Sequence, residues 1–326
     1  MKSVIIITAI ILSAISSAAG ASQPPAPEYS RWSEISAATW PLAQANVELC
    51  GQAVAPSLGF NAGGSLNNQP LLLGVGQGSP AQLAGLQDFD ELVSINGKKL
   101  KTRKMEKVLE RYNEVFADEI EADKPVDVVY QRDGIEASAS ITPVQACNFT
   151  VIYVPKPIPS STQGTAILQG NSIDAYAHTP EQIRAYLSRS FARIILDHQG
   201  QNAKQGKKFD LLNGAAGLLT GHKLGVTGNA LARFRNAEGQ DLEQDYLSVY
   251  LLARAGDDVS GITDFWQGVF ANPAGNGPLG NGMIGRALGQ SQGSPARIEE
   301  LTAARDEVMA KQAAGEALIP AGRTAN

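Results

Sequence analysis

A chain with 3 histidines and 2 cysteines has few places from which chemistry can come. One is Arg189-Ser190-Phe191-Ala192-Arg193, two guanidiniums four residues apart with a hydroxyl between them. Positions four apart share a helix face, so both cations would project the same way. A guanidinium stays protonated and has no lone pair, so this pair cannot ligate a metal, although it can hold carboxylates. Asp241, with Glu243 near it, is the carboxylate expected to pair with them, because two unpaired buried cations would be very costly. The alternative is a rolled helix with both arginines solvated. Ser190 would need a base to act as a nucleophile, and no histidine or lysine lies at a helical neighbour. A metal site gathered from His178, His198, His222 and Asp241 is the remaining option, and their positions lack ligand spacing.

The element that must carry the arginines runs from Thr179 to Gly200. Ile183, Tyr186, Leu187, Phe191, Ile194 and Ile195 recur at helical spacing. Thr179 is the expected N-cap, Pro180 the first helical residue, Glu181 an acid in the first turn, and Gly200 the stop.

The chain has 326 residues with 27 basic against 32 acidic side chains, net charge −5, and no basic run, which excludes a nucleic-acid binder. Residues 1–21 read as an export signal: Lys2, the apolar stretch Val4 to Ile15, and a small-x-small site at Ala19-Gly20-Ala21. The apolar run is shorter than the roughly 20 residues a membrane helix needs, and no later segment spans a membrane. The expected location is the periplasm or the exterior. There, one disulfide between Cys50 and Cys147 is the default, with two buried free thiols as the alternative.

The helix bearing the arginines resembles the active-site helix of the gluzincin metallopeptidases of family forty-eight, the family of the CAAX prenyl protease and its periplasmic relatives. With the family's trailing histidine laid on His198, its zinc-binding histidines fall on Arg189 and Arg193 and its general base on Ser190. Asp241-Leu-Glu243-Gln-Asp245-Tyr246, continuing to Leu252-Ala253-Arg254-Ala255-Gly256 and Phe265-Trp266, resembles the helix whose first glutamate is the third zinc ligand; Asp241 stands there. Asp245 matches an aspartate that orients the helix pair. Ser294-Pro295-Ala-Arg297-Ile298 resembles the closing helix, and the cleft histidine before it becomes Ser291. Asp174-Ala175-Tyr176-Ala177 resembles the segment leading to the substrate-binding edge strand, which this chain omits. The resemblance implies zinc as cofactor, and the substitutions imply that zinc and catalysis are lost.

Residues 71–143 resemble a bacterial PDZ domain through Gly78-Ser79-Pro80-Ala81, Ala84-Gly85-Leu86, Asp90-Glu-Leu92 and Ile95-Asn96-Gly97. Phe89 stands where glycine is usual. The resemblance implies a peptide or protein C-terminus as partner, added as a strand to a sheet edge, its carboxylate held by the loop Ser57-Leu58-Gly59-Phe60. Leu58 and Phe60 read equally well as core residues of a first strand. Asn61 to Asn68 reads as an insertion, Thr102 to Phe116 as a helix, and residues 126–130 and 137–141 as strands meeting at a turn at Asp133-Gly134.

The expected architecture is α+β, a small PDZ-type β-sandwich or barrel inserted ahead of a mainly helical zincin-like domain. Its parts are a signal at 1–21, an extended segment and helix at 22–50, the PDZ-like domain at 51–145, the metallopeptidase-like domain at 146–314 and a tail at 315–326. The function expected is peptide binding by an exported pseudoprotease, with an active metalloendopeptidase on a rearranged metal site as the alternative.

Overall fold

The computed structural model describes residues 27–51, 53–66, 68–104, 107–155, 165–196, 228–271 and 295–320. The readings made at residues 1–26, His198, Gly200, 204–227 (His222 included), Ser291 and 321–326 lie outside the described residues. The chain is α+β and divides into two compact units, residues 1–41 with 54–146, and residues 42–53 with 147–326. Residues 22–50 therefore form no unit of their own.

The first unit is a sheet with strand order β2-β3-β4-β6-β7. The strands are β2 (Asn61–Leu66), β3 (Gln69–Leu73), β4 (Glu91–Ile95), β6 (Val126–Arg132) and β7 (Ile135–Ile141), all antiparallel to their neighbours. Short β5 (Lys98–Lys99) folds back on β4 across the turn Asn96-Gly97, where both residues have positive φ, as a tight hairpin requires. β1 (Val54–Ser57) pairs with β8 (Val144–Cys147). Alternate residues reach one core: Leu72, Leu92, Val126 and Val128 from the strands meet Tyr112 and Val115 of helix α4 (Val108–Glu119). Each such apolar side chain contributes about 1.5–3 kcal/mol by leaving water.

Leu71 and Leu73 point away from that core yet are buried. The cover is α1 (Pro27–Ala37), which packs on β3 and lays Ser33 Oγ within 2.8 Å of the Gly74 amide as its acceptor. The approach is close enough that a Cβ on Gly76 would lie 2.2 Å from Trp40 Cβ, in α2 (Thr39–Ala45). α1 starts at Pro27 and the chain breaks at Ala38 before α2, which tolerates Pro41 because a proline in the first turn has no helical N–H bond to lose.

Other corrections fall on this unit. Asn61 to Asn68 is largely a strand, since polar and glycine residues suffice where β2 bonds through its backbone, and it carries a bulge between Gly63 and Ser65. The helix expected from Thr102 starts at Val108, with Thr102 Oγ1 donating to the Lys104 carbonyl in a turn before it. Phe89 adopts φ 70°, the left-handed conformation of the glycine it replaces, while its amide donates to the Leu72 carbonyl at 2.8 Å.

The second unit is mainly helical. Parallel strands β9 (Thr150–Val154) and β10 (Thr165–Gln169) lead into α5 (Gly170–Tyr176) and α6 (Pro180–Ile195). β10 has no counterpart among the elements expected from the sequence, and Asp174 to Tyr176, compared there with a segment leading to a strand, finish α5. The Tyr153 hydroxyl donates to Asp174 at 2.7 Å. α6 packs on the long helix α7 (Gly228–Arg254), which also receives α9 (Pro295–Ala314); α8 (Ile262–Ala271) packs on α9. Cys50 and Cys147 are disulfide-bonded with Cα atoms 5.7 Å apart, so the free-thiol alternative is set aside. No described helix is long and apolar enough to cross a membrane.

Candidate functional site

In the sheet unit, β2 is the outermost strand, and among the described residues it pairs on one side only, with β3. α4 packs near it. An unpaired strand edge beside a helix is the geometry on which an extended peptide can be added. The loop Ser57-Leu58-Gly59-Phe60 leads directly into this strand. Its two carbonyls at Leu58 and Gly59 accept from Ala81 and Gly76, each at 2.9 Å. The loop is thereby tied to the turn that carries the short helix α3 (Pro80–Leu83), itself capped by Ser79. Gly59 sits at φ 81°, and a Cβ there would lie 2.2 Å from Ser79 Cβ, so only glycine fits.

The loop is only partly the cradle expected. Leu58 is 1% exposed and belongs to the core, and Phe60 packs half-buried against it. The Gly59 amide donates to Ser57 Oγ at 3.1 Å. Asp90, from the PDZ-like motif, serves the scaffold, since it receives both Nε and an Nη of Arg132 at 2.7 Å while only 1% exposed. This bidentate pair closes β4 and β6 around the turn, and neither partner's role was read in the sequence.

In the helical unit, α6 is opened as its sequence implies. Thr179 accepts from the Gln182 amide, and the Gln182 side chain accepts from the Thr179 amide, a reciprocal capping box. The described helix ends at Ile195 with Leu196 as its cap. Ile183, Leu187, Phe191 and Ile195 are buried, and Phe191 stacks on Phe149 with centroids 3.8 Å apart. This fixes the roll of the helix and turns Tyr186, Arg189, Ser190 and Arg193, at spacing i, i+3, i+4, i+7, toward one cavity.

The structure brings Arg189 and Asp241 together. A terminal guanidinium nitrogen of Arg189 donates to Asp241 at 3.1 Å, and its Nε lies 2.5 Å from Asp245. Arg297 grips the same Asp245 with Nε at 2.7 Å and an Nη at 2.9 Å. Asp245 is fully buried and Arg297 is 3% exposed, so this ion pair sits deep in the unit. Burial pulls the Arg297 pKa below its usual value, and Arg189 alongside adds to that, against the opposing pull of Asp245. Aromatic faces complete the surroundings, with Arg189 5.2 Å from the Trp266 ring and Arg297 4.1 Å from the Phe270 ring.

The cavity has a volume of about 180 Å³. Beyond the α6 face, Trp266, Val269 and Phe270 line it from α8, Gln244 from α7, Arg297 from α9 and Tyr176 from α5. Sequence reasoning missed Trp266, Phe270, Gln244 and Arg297 as members of one site; the i, i+3, i+4 spacing of the α8 residues was the available signal. Among the described residues that line the cavity, none is a histidine, lysine or carboxylate. His178 is exposed and its amide donates to Gln182 at the start of α6. No group of three histidine, cysteine or acidic side chains among the described residues could hold a metal ion. Donor-only guanidiniums at 189 and 193 do not fit a zinc ion.

No family model matches the chain, and no curated protein matches it either. Among solved structures, similarity is found to the PDZ domain of HtrA3 bound to a phage-derived ligand, at 21% identity over 28% of this chain and 88% of that one, TM-score 0.22. A second is the HtrA-type protease AlgW with a decapeptide, at 14% identity over 36% of this chain and 34% of that one, TM-score 0.24. At such scores these likenesses carry no argument, and what the chain can do rests on its own geometry.

Proposed function

We propose that this chain is an exported peptide-binding protein, a PDZ-type sheet carried with a metallopeptidase-like helical unit that recognises without hydrolysing. The observation that carries the first half is the outermost position of β2 beside α4, entered through the glycine loop at Gly59. A peptide or protein C-terminus adds there as a further strand, with main-chain hydrogen bonds supplying affinity. The second half rests on donor chemistry: Arg189, Ser190 and Arg193 stand where two zinc ligands and a base would be. Asp241, in place of a third ligand, is engaged by Arg189 at 3.1 Å. The disulfide and the apolar N-terminus support export to the periplasm or the exterior.

Hydrogen exchange on the full chain, with a library of peptides bearing free or amidated C-termini, tests the docking site. Binding of free C-termini should protect amides 61–66, and binding that leaves this stretch unprotected removes the proposal. For the helical unit, Arg189→His with Ser190→Glu and Arg193→His should take up zinc in metal analysis. A folded triple variant that stays metal-free counts against descent from a zinc site.

A further inference from the structure

The stretch between the tight turn at Asn96-Gly97 and α4 runs against the charge of the chain. From Lys98 to Lys107 it holds six basic residues and one acid, Glu106, in a protein of net charge −5. No more than two of the basic residues are adjacent, and Lys99, Lys101, Arg103 and Lys104 are exposed. Lys98 pairs with Glu119 at 2.6 Å and Lys107 with Glu110 at 2.5 Å, but Lys99, Lys101 and Arg103 form no ion pair among the described residues. The place of this loop is fixed. Leu100 is buried in the sheet core with its amide donating to the Val93 carbonyl at 3.0 Å, and the Thr102 amide donates to the Asn68 carbonyl at 3.2 Å. Asn68 lies in the turn that returns β2 into β3. Lys101 and Arg103, on either side of Thr102, therefore stand at the Leu66 end of β2, away from the end that the Gly59 loop enters.

We propose that the peptide docked on β2 carries an acidic segment upstream of its C-terminus, and that Lys99, Lys101 and Arg103 receive it. This rests on peptide docking at β2. A terminal carboxylate at the Gly59 loop makes the added strand run antiparallel to β2, with its upstream residues passing toward Leu66. If the last residue lies beside Asn61, the sixth from the end lies beside Leu66, and the sixth to eighth reach the basic loop. β2 has no charged side chain of its own, so the loop is what reads charge at that end. The acids that follow on α4, Glu110 and Glu114, are matched by Lys107 and by Arg111 at 3.6 Å and do not cancel the loop. Exposed pairs are individually weak, so they select among peptides while the main chain supplies the affinity.

The test uses the full chain and three pools of decapeptides with free C-termini. Their last five residues are randomised, and the sixth to eighth from the end are all glutamate, all serine or all lysine. Fluorescence anisotropy gives affinity in salt of about 0.1 M and about 1 M, between which the Debye length falls from about 10 Å to about 3 Å. In low salt the glutamate pool should bind about tenfold tighter than the serine pool, as a few exposed pairs together imply, and the lysine pool should bind weakest. In high salt the advantage should vanish. With Lys101→Ser and Arg103→Ser combined, the glutamate-to-serine ratio should fall toward one. If that variant does not fold, the salt comparison on the native protein decides. Equal affinities for the three pools would overturn this inference and leave docking at β2 standing, whereas no binding by any pool would remove both. Glutamate peptides that bind as tightly when amidated, or that phosphatidylglycerol vesicles displace, would mark an acid-binding surface independent of the groove and also overturn it.

Discussion

Asp245 holds arginines from two different helices, and that makes it the most consequential side chain in the helical unit. Removing its charge leaves Arg297, 3% exposed, as a buried cation with no compensating carboxylate from that residue. Asp245→Asn should therefore cost about 3–5 kcal/mol, the range for breaking one partner of a buried pair. Asp241 is 20% exposed and shares its arginine with Asp245, so Asp241→Asn should cost about 1 kcal/mol or less. Urea unfolding of both variants checks the contrast, and equal losses would mean that Asp245 is not the shared anchor.

The capping box of α6 is exposed and local, so Thr179→Ala should lower stability by about 1 kcal/mol with an unchanged urea slope. α7 and α9 are joined by a second carboxylate, Glu307. Burial alone would raise its pKa, but hydrogen bonds from Tyr250 at 2.6 Å and from Lys311 outweigh it and hold it below the ordinary carboxylate value. A depressed carboxylate contributes stability that is present above its ordinary value and is lost as pH falls through the folded value. The stability gap between the native chain and Glu307→Gln should thus be constant near neutral pH and narrow in acid. A gap that widens in acid would reverse the assignment.

Elements of this kind were legible in proportion to how local their signals are. Thr179-Pro180 marks a helix start through its own chemistry, and Asn96-Gly97 and Asp133-Gly134 mark hairpins through positive φ. β2 was hidden because an edge strand can be built of Asn, Ala and Gly when its partner β3 supplies the apolar side chains. The start of α1 was hidden by prolines that a first turn tolerates. The meeting of Arg297 with Asp245, 52 residues apart, has no local signature at all. Only the packing of α9 on α7 creates it.

For the molecule as a whole, the disulfide closes a loop of 97 residues. Cross-linking so long a loop restricts the unfolded chain, and reduction should cost about 2–5 kcal/mol. Thermal unfolding with and without reductant, followed by circular dichroism, measures it; an unchanged midpoint would show the bond to be incidental. The helical unit holds both cysteines, so its signals should fall first.

The covering of β3 by α1 limits how the sheet could be exchanged between proteins. The chain passes through the sheet unit at residues 1–41, leaves it, and returns for 54–146. A cassette cut at 54 and 146 would leave behind Trp32 and Ser33, whose seats are Gly63 and the Gly74 amide, and would lay Leu71 and Leu73 bare. A graft of this sheet onto another host has to bring its preceding helix along, or it will transplant an open, sticky back.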